Sequence, residues 1–294
     1  MTSTRASRGS RLWNGMPFFT RFILVLCVTL FVIQFLFDEP VMEAVVMSPR
    51  NVIFLHQYWR IISSTLFHVN VMHIGTNSMS MLAIGGLLEE KMGTFAFAVT
   101  VCWGMILTSL VYIFTSLVAH VFGNDDLIYQ KAVGFSGVLF HLSVLEAYQS
   151  KAQSRSIYGI ISVPTKAYPW ALLVAIQIML PYVSFLGHLS GIIVGTLQLH
   201  GGLDVLLPSH EFYEQVQTWS FMRAVVESNA YRVVPPKDIS INEHDRNSNM
   251  TSLVCAGLTS VIGLLLNIYE TIKHICLGSR GNTGGEVEPT SSFV

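Results

Sequence analysis

Six runs of mostly apolar residues, each close to the length a helix needs to cross a bilayer, decide the solvent of this chain. A spanning helix takes about 20 such residues. The runs fall at Phe18–Phe37, Val69–Leu88, Phe95–Phe122, Tyr129–Tyr148, Tyr168–Tyr182 and Ser184–Leu206. Hydrophobic residues make up 51% of the 294 and charged residues 12%, about half of the roughly 25% charge of a typical soluble domain. So few charges cannot clothe a water-facing surface. The sequence therefore predicts an all-α, polytopic helical bundle in which every backbone amide is satisfied inside its own span. A seventh run, Thr251–Tyr269, is weaker and reads as a possible seventh helix. No small-residue cleavage site follows the first run, which exceeds a signal-peptide core of about 7–15 residues, so it is read as a retained anchor.

The remaining sequence divides around these runs. Residues 1–17 form an N-terminal segment and 18–206 the six-helix core. Residues 207–250 read as a polar linker, with a short helix expected around Glu211–Val226, and 270–294 as a disordered tail. Lys and Arg mark the cytosolic side. Arg5, Arg8, Arg11 and Arg21 near the N-terminus, and Lys151, Arg155 and Lys166 between runs four and five, predict a cytosolic N-terminus, whereas Asp125 and Asp126 lie between runs three and four. A net charge of -1 argues against nucleic acid as a partner. The four cysteines, Cys27, Cys102, Cys255 and Cys276, sit in or beside apolar runs and read as small hydrophobes.

With this topology, runs two, four and six enter the membrane from the same, non-cytosolic side. Each carries polar residues near its start: His73 and Asn77 in run two, Ser136 in run four and His188 in run six. Polar groups in hydrocarbon are costly unless they have partners or work. Gly134 and Gly137 flank Ser136 and let a neighbouring backbone come close. In run six His188, Gly191 and Gly195 share one helix face, and Gly191-x3-Gly195 is a close-crossing pattern. Packing run four on run six through these glycines brings the Ser136 hydroxyl within reach of His188. A serine hydroxyl is a weak nucleophile until a base takes its proton. No Asp or Glu is placed to orient the histidine, so the expectation is a Ser/His dyad, with Phe140 one turn on stacking against the imidazole.

His73 and Asn77, four residues apart, project from one face of run two. An Asn amide, an imidazole N–H and the Ser136 backbone N–H are suitable donors to an oxyanion. Bland readings compete at each point. GxSG is common, a membrane serine usually bonds back to its own helix, and GxxxG often serves packing alone. A metal pair from His68 and His73 is disfavoured by their spacing and by the lack of an obvious third ligand. His141 is expected to face packing or lipid headgroups, and His120 and His200 the interface.

These residues together resemble the rhomboid intramembrane serine proteases, and within them the rhomboid-related protein 4 type. The marks are Trp59-Arg60, His68-x4-His73-x3-Asn77, Glu89 with Gly93, Gly134-x-Ser136-Gly137 and His188-x2-Gly191-x3-Gly195, spread over Trp59 to Gly195. The resemblance implies a rhomboid-like six-helix core with Ser136 as nucleophile and His188 as base. It also implies that His73, Asn77 and the Ser136 amide line the oxyanion hole. Trp59 and Arg60 would belong to a first-loop insertion in the outer leaflet, and Glu89 would brace the loop after run two. Tyr is common in the family where this chain has Phe140, and the ubiquitin-interacting tail of the type 4 relatives has no counterpart in this sequence.

The implied activity is serine endopeptidase cleavage in or near a transmembrane segment, without metal or organic cofactor. The implied partners are single-span or other transmembrane protein substrates and membrane lipids. The implied setting is an endomembrane, the endoplasmic reticulum first. The alternative is a catalytically silent rhomboid-like protein that binds clients in membrane protein trafficking or quality control. A transporter would instead need carboxylates in the spans.

Overall fold

The computed structural model describes residues 13–37 and 39–234. The possible seventh helix at Thr251–Tyr269, with Cys255 and Cys276, lies outside the described residues, as does the basic cluster at Arg5, Arg8 and Arg11. The architecture is a bundle of apolar helices. Three are long and apolar enough to cross a membrane by themselves: α1 (Phe18–Phe37), α5 (Val71–Met92) and α6 (Thr94–Val121). Before α5 the chain forms three short helices, α2 (Glu39–Val45), α3 (Pro49–Phe54) and α4 (Arg60–Leu66). After α6 come α7 (Asp126–Tyr129), α8 (Ser136–Gln149), α9 (Tyr168–Met179) and α10 (Phe185–Leu199).

Those last apolar helices are shorter than the runs that announced them. α8 starts at Ser136, not at Tyr129, and has 14 residues, about 21 Å of helix against roughly 30 Å of hydrocarbon. The apolar residues ahead of it are not helical because the chain enters extended, and its backbone groups find partners elsewhere in the protein. Met47 and Ala132 exchange both backbone bonds, and the Gly134 N–H donates to the Ser64 carbonyl at 2.8 Å. Irregular backbone at membrane depth is tolerated where protein covers it in this way. Likewise α9 ends at Met179 rather than Tyr182. α10 ends at Leu199, where Gly201 (φ 78°) turns the chain, rather than at Leu206.

The loop between α8 and α9 holds a feature outside the all-α expectation, a two-stranded antiparallel hairpin. Strand β1 (Ser154–Ile157) pairs with β2 (Ile161–Pro164), Ile157 opposite Ile161. Arg155 of β1 bonds to the buried Glu146 near the end of α8. The pairing explains how a carboxylate persists in that helix, ten residues beyond Ser136.

At the end of the bundle away from Ser136, Glu89 is wholly buried. Its carboxylate accepts from the Phe19 and Thr20 backbone N–H groups at 2.8 and 2.7 Å and from the Thr94 hydroxyl at 2.7 Å. Those two amides belong to the first turn of α1, which no intrahelical carbonyl can satisfy, and an anion there also complements the helix dipole. Glu89 thus ties α1 to the start of α6.

Residues 207–234 are tethered to the same end. They contain α11 (His210–Gln217) and α12 (Arg223–Val226), so the helix expected around Glu211–Val226 is broken near Trp219. The chain then passes under α1 and α6. The Phe18 N–H donates to the Ala230 carbonyl at 2.9 Å, and Thr94 and Arg232 exchange bonds at 2.7 and 2.9 Å. Gly93 (φ 84°) leaves room for Val234, whose Cα would lie 2.7 Å from a Cβ at that position.

Candidate active site

Ser136 is the first residue of α8, and the first helical bond in that turn runs from the Leu139 N–H to the Phe135 carbonyl. The amides of the first turn therefore have no intrahelical acceptor and stand at the positive end of the helix dipole. His188 lies in the first turn of α10, which Ser184 caps by accepting from the Gly187 N–H. The Ser136 Oγ and His188 Nε2 are 2.9 Å apart.

Glycines make that approach possible. A Cβ on Gly191 would lie 2.0 Å from the Gly137 carbonyl oxygen and 3.0 Å from the Phe140 Cβ. One on Gly137 would meet the Gly187 carbonyl at 3.1 Å, and one on Gly195 the His141 carbonyl at 2.8 Å. The two helices therefore touch backbone to backbone along a seam, the close packing that apolar solvent otherwise gives little reason to form. Phe140 packs on the His188 ring with centroids 4.7 Å apart and planes tilted by 31°. Among the described residues the other ring nitrogen, Nδ1, has no hydrogen-bond partner, so no third group orients the imidazole.

Ser136 and His188 open onto a cavity of about 330 Å³. His73, Gly134, Gly137 and Gly187 also line it, and Leu180, Tyr182 and Val183 form part of its wall beside the end of α9. Gly134 has φ 123°, and a Cβ there would sit 2.5 Å from the His73 ring. The bend at Gly134 therefore admits His73 and turns the chain into α8 at once.

The other expected residues are placed differently. The Asn77 amide donates to the His73 carbonyl at 2.8 Å, and its side chain borders a second, much smaller cavity with His68, Cys27 and Phe135. The structure does not bring Asn77 to the space that Ser136 and His188 share. His68 precedes α5 and is buried, its Nε2 3.5 Å from the Phe135 N–H and its ring 5.1 Å from that of His73. Among the described residues no group of three His, Cys, Asp or Glu side chains could hold a metal.

Arg60 is buried beneath the first loop and donates to the Glu43 and Val46 carbonyls at 2.8 and 2.7 Å. Trp59 stays half exposed and donates from its ring nitrogen to the Ala44 carbonyl. Both hold α2 against α4, away from the cavity.

Sequence reasoning missed Ser64, Met47 and Ala132, which hold the extended entry to Ser136. Their pairing is long-range and leaves no local signal. Ser184, by contrast, has the form of an N-cap at the head of an apolar run and could have been read as one.

A bundle of apolar helices with a serine and a histidine facing one another below a cavity defines a class of polytopic membrane protein. The Rhomboid domain matches residues 55–201 of this sequence, and the chain belongs to the rhomboid family. It is 31% identical over 223 residues to Rhomboid-like protein 15 of Arabidopsis thaliana, covering 75% of this chain and 55% of that protein. It is 38% identical over 149 residues to mouse (Mus musculus) Rhomboid-related protein 4, covering 50% and 47%. It is also 24% identical over 206 residues to Rhomboid-type serine protease 2 of Podospora anserina, covering 69% and 67%. The chain spans about half the length of the first two relatives.

Proposed function

We propose that this chain is an intramembrane serine endopeptidase, with Ser136 as nucleophile and His188 as general base. The observation that carries the proposal is the 2.9 Å approach of His188 Nε2 to Ser136 Oγ at the wall of a 330 Å³ cavity. That distance falls within the reach a base needs to take the serine proton. Its setting, on two helices locked through glycine, is what a proton transfer of fixed geometry requires.

The chemistry follows from the atoms present. As Ser136 Oγ bonds to the substrate carbonyl carbon, its proton passes to His188 Nε2 and the carbonyl oxygen becomes an oxyanion. The Ser136 amide at the helix N-terminus and the His73 imidazole are the donors available to that oxygen. Collapse breaks the C–N bond as His188 returns the proton to the leaving nitrogen, which leaves an ester on Ser136. Water then attacks the ester with His188 again as base, releasing the acid and restoring the serine. Asn77 donates one amide N–H to the His73 carbonyl and does not line this cavity, so it can join the donors only if its side chain turns toward Ser136.

The substrate class is a transmembrane segment, because the cavity lies among apolar helices and Leu180, Tyr182 and Val183 lead to it from the end of α9. The scissile stretch must unwind, since a helix shields its own carbonyls with its hydrogen bonds. The reading places the chain in an endomembrane with a cytosolic N-terminus. The support is its likeness to Rhomboid-related protein 4 and the distribution of Lys and Arg.

The test uses purified protein in lipid vesicles with a fluorescent single-span substrate. Wild type should cleave, whereas Ser136→Ala and His188→Ala should each lose at least about a thousandfold in kcat. Binding of the uncut substrate by Ser136→Ala should stay near that of wild type. Cleavage surviving in Ser136→Ala would overturn the mechanism. Binding without cleavage by wild type over several substrates would favour a client-binding role.

A further inference from the structure

We infer that His141 is a positioning residue: its hydrogen bond to Gln198 fixes the register of the two helices that carry Ser136 and His188. Its consequence for turnover rests on the proteolytic reading above, but its geometry does not. His141 lies on α8 five residues after Ser136 and is wholly buried. Its Nε2 is 2.6 Å from the Gln198 Oε1 on α10, ten residues after His188. The amide oxygen can only accept, so Nε2 carries the proton and donates.

Two glycines show that the site is built for an imidazole. A Cβ on Gly104 of α6 would lie 2.5 Å from His141 Nδ1, and one on Gly195 of α10 would lie 2.8 Å from the His141 carbonyl. The ring therefore fills a slot that α6 leaves open, while α10 passes against its backbone. Filling space alone would need no polar ring. Among the described residues Nδ1 has no partner, an expense in an apolar interior that an aliphatic side chain would avoid. The compensation is the single directional bond to Gln198.

That bond supplies what the seam lacks. Gly137, Gly191 and Gly195 allow close contact, and Phe140, Val144 and Ile192 pack beside them, but apolar packing is non-directional and fixes register less sharply than a hydrogen bond does. A hydrogen bond further along the same helix pair is directional and so is sensitive to both sliding and rotation. The reacting pair needs such a stop, because a displacement of about 1 Å can cost a hundredfold in rate. His141 touches neither the cavity nor the reacting atoms and acts through α8 and α10.

The experiment follows the ring nitrogens of His188 by NMR in full-length protein labelled with ¹⁵N-histidine, in detergent micelles. Ser136→Ala provides the reference signal for a His188 without its serine partner. In Gln198→Leu, and in the double variant His141→Ala/Gln198→Leu, which leaves neither partner unpaired, the signals should move toward that reference. Gln198→Asn keeps an amide but shortens its reach, and serves if the apolar variants fail to fold. Turnover per serine titrated with a fluorophosphonate should fall about ten- to hundredfold, with KM within about twofold.

His188 signals that stay at their wild-type positions in folded Gln198 variants overturn the inference, whatever the melting temperature does. Signals that respond to Gln198 in a wild-type background that cleaves nothing sink the proteolytic reading and leave the register argument standing. Cleavage with unresponsive signals sinks the register argument alone.

Discussion

Two neighbours of α8 meet it on opposite terms. α10 buries Leu186, His188, Ser190, Gly191, Ile192, Val194 and Gly195, nearly half of its 15 residues, and reaches α8 backbone to backbone. α9 buries only Pro169 and Leu173 of its 12 residues, and Val174, Ile178 and Met179 face outward. α10 borders the cavity through Gly187 and His188, and the residues just past α9, Leu180, Tyr182 and Val183, line its wall. One is held at a distance set by glycine and one polar bond, while the other rests on Pro169 and on Leu173, with Leu172 and Ile176 half-buried beside it. On the proteolytic reading proposed above, the difference separates two demands on an enzyme working inside a membrane. Groups that exchange a proton must not move relative to each other, and a neighbouring wall must give way to something as large as a polypeptide segment.

If that division holds, changes on the rigid side should act on kcat and changes on the α9 side should not. The largest effect in the wall opposite the dyad is expected at His73. His73→Ala removes an imidazole that lines the cavity and should lower kcat about 10²–10³-fold with little change in KM. Asn77→Ala should cost less than about tenfold, because Asn77 borders the second, smaller cavity and not the one that Ser136 and His188 share. Steady-state kinetics on one substrate compares the two directly. An Asn77 effect as large as that of His73 would mean that the amide swings into the cavity during reaction.

Next in size is the seam itself. Gly191→Ala puts a methyl group 2.0 Å from the Gly137 carbonyl oxygen, a backbone atom that cannot rotate away. The helices must part by at least an ångström, and the reacting pair parts with them. A loss of about a hundredfold in kcat is expected, together with slower acylation of Ser136 by a fluorophosphonate. Near wild-type kinetics in this variant would show that the 2.9 Å contact is not held by the seam.

Much of this was legible in the sequence, for identifiable reasons. The apolar runs gave the bundle because solvent decides it, and a hydroxyl and an imidazole beside glycines gave the pair because each is costly in hydrocarbon without a partner. The helix starts were harder. Gln130 to Phe135 lies inside a run that passes for helix, and only the distant Met47 and Ser64, which take up its backbone bonds, show that it is not. His141 was read as packing or headgroup-facing because its partners, Gly104 and Gln198, lie 37 residues before it and 57 residues after it. The segment after Leu206 looked like a linker from its polarity. Its attachments to Phe18 and Thr94 use the backbone groups of Ala230 and Arg232, and the Arg232–Glu90 ion pair beside them joins residues 142 positions apart.

The smallest effect expected is on α9 and bears most directly on the comparison. Leu173 packs with Phe140, Val144 and Ile192, so Leu173→Ala leaves a cavity beside the anchor of that helix. The cost should be about 1–3 kcal/mol of stability, read as a lower melting temperature in micelles. Phe140 keeps Val144 and Ile192 as neighbours and so keeps its place on the His188 ring; kcat should therefore stay within about threefold. Ile178→Ala, on the outward face of the same helix, should change neither quantity measurably and serves as the control. A kcat loss in Leu173→Ala approaching that of Gly191→Ala would move α9 to the rigid side. Access to the cavity would then have to come from the first-loop helices, held by Arg60, rather than from α9.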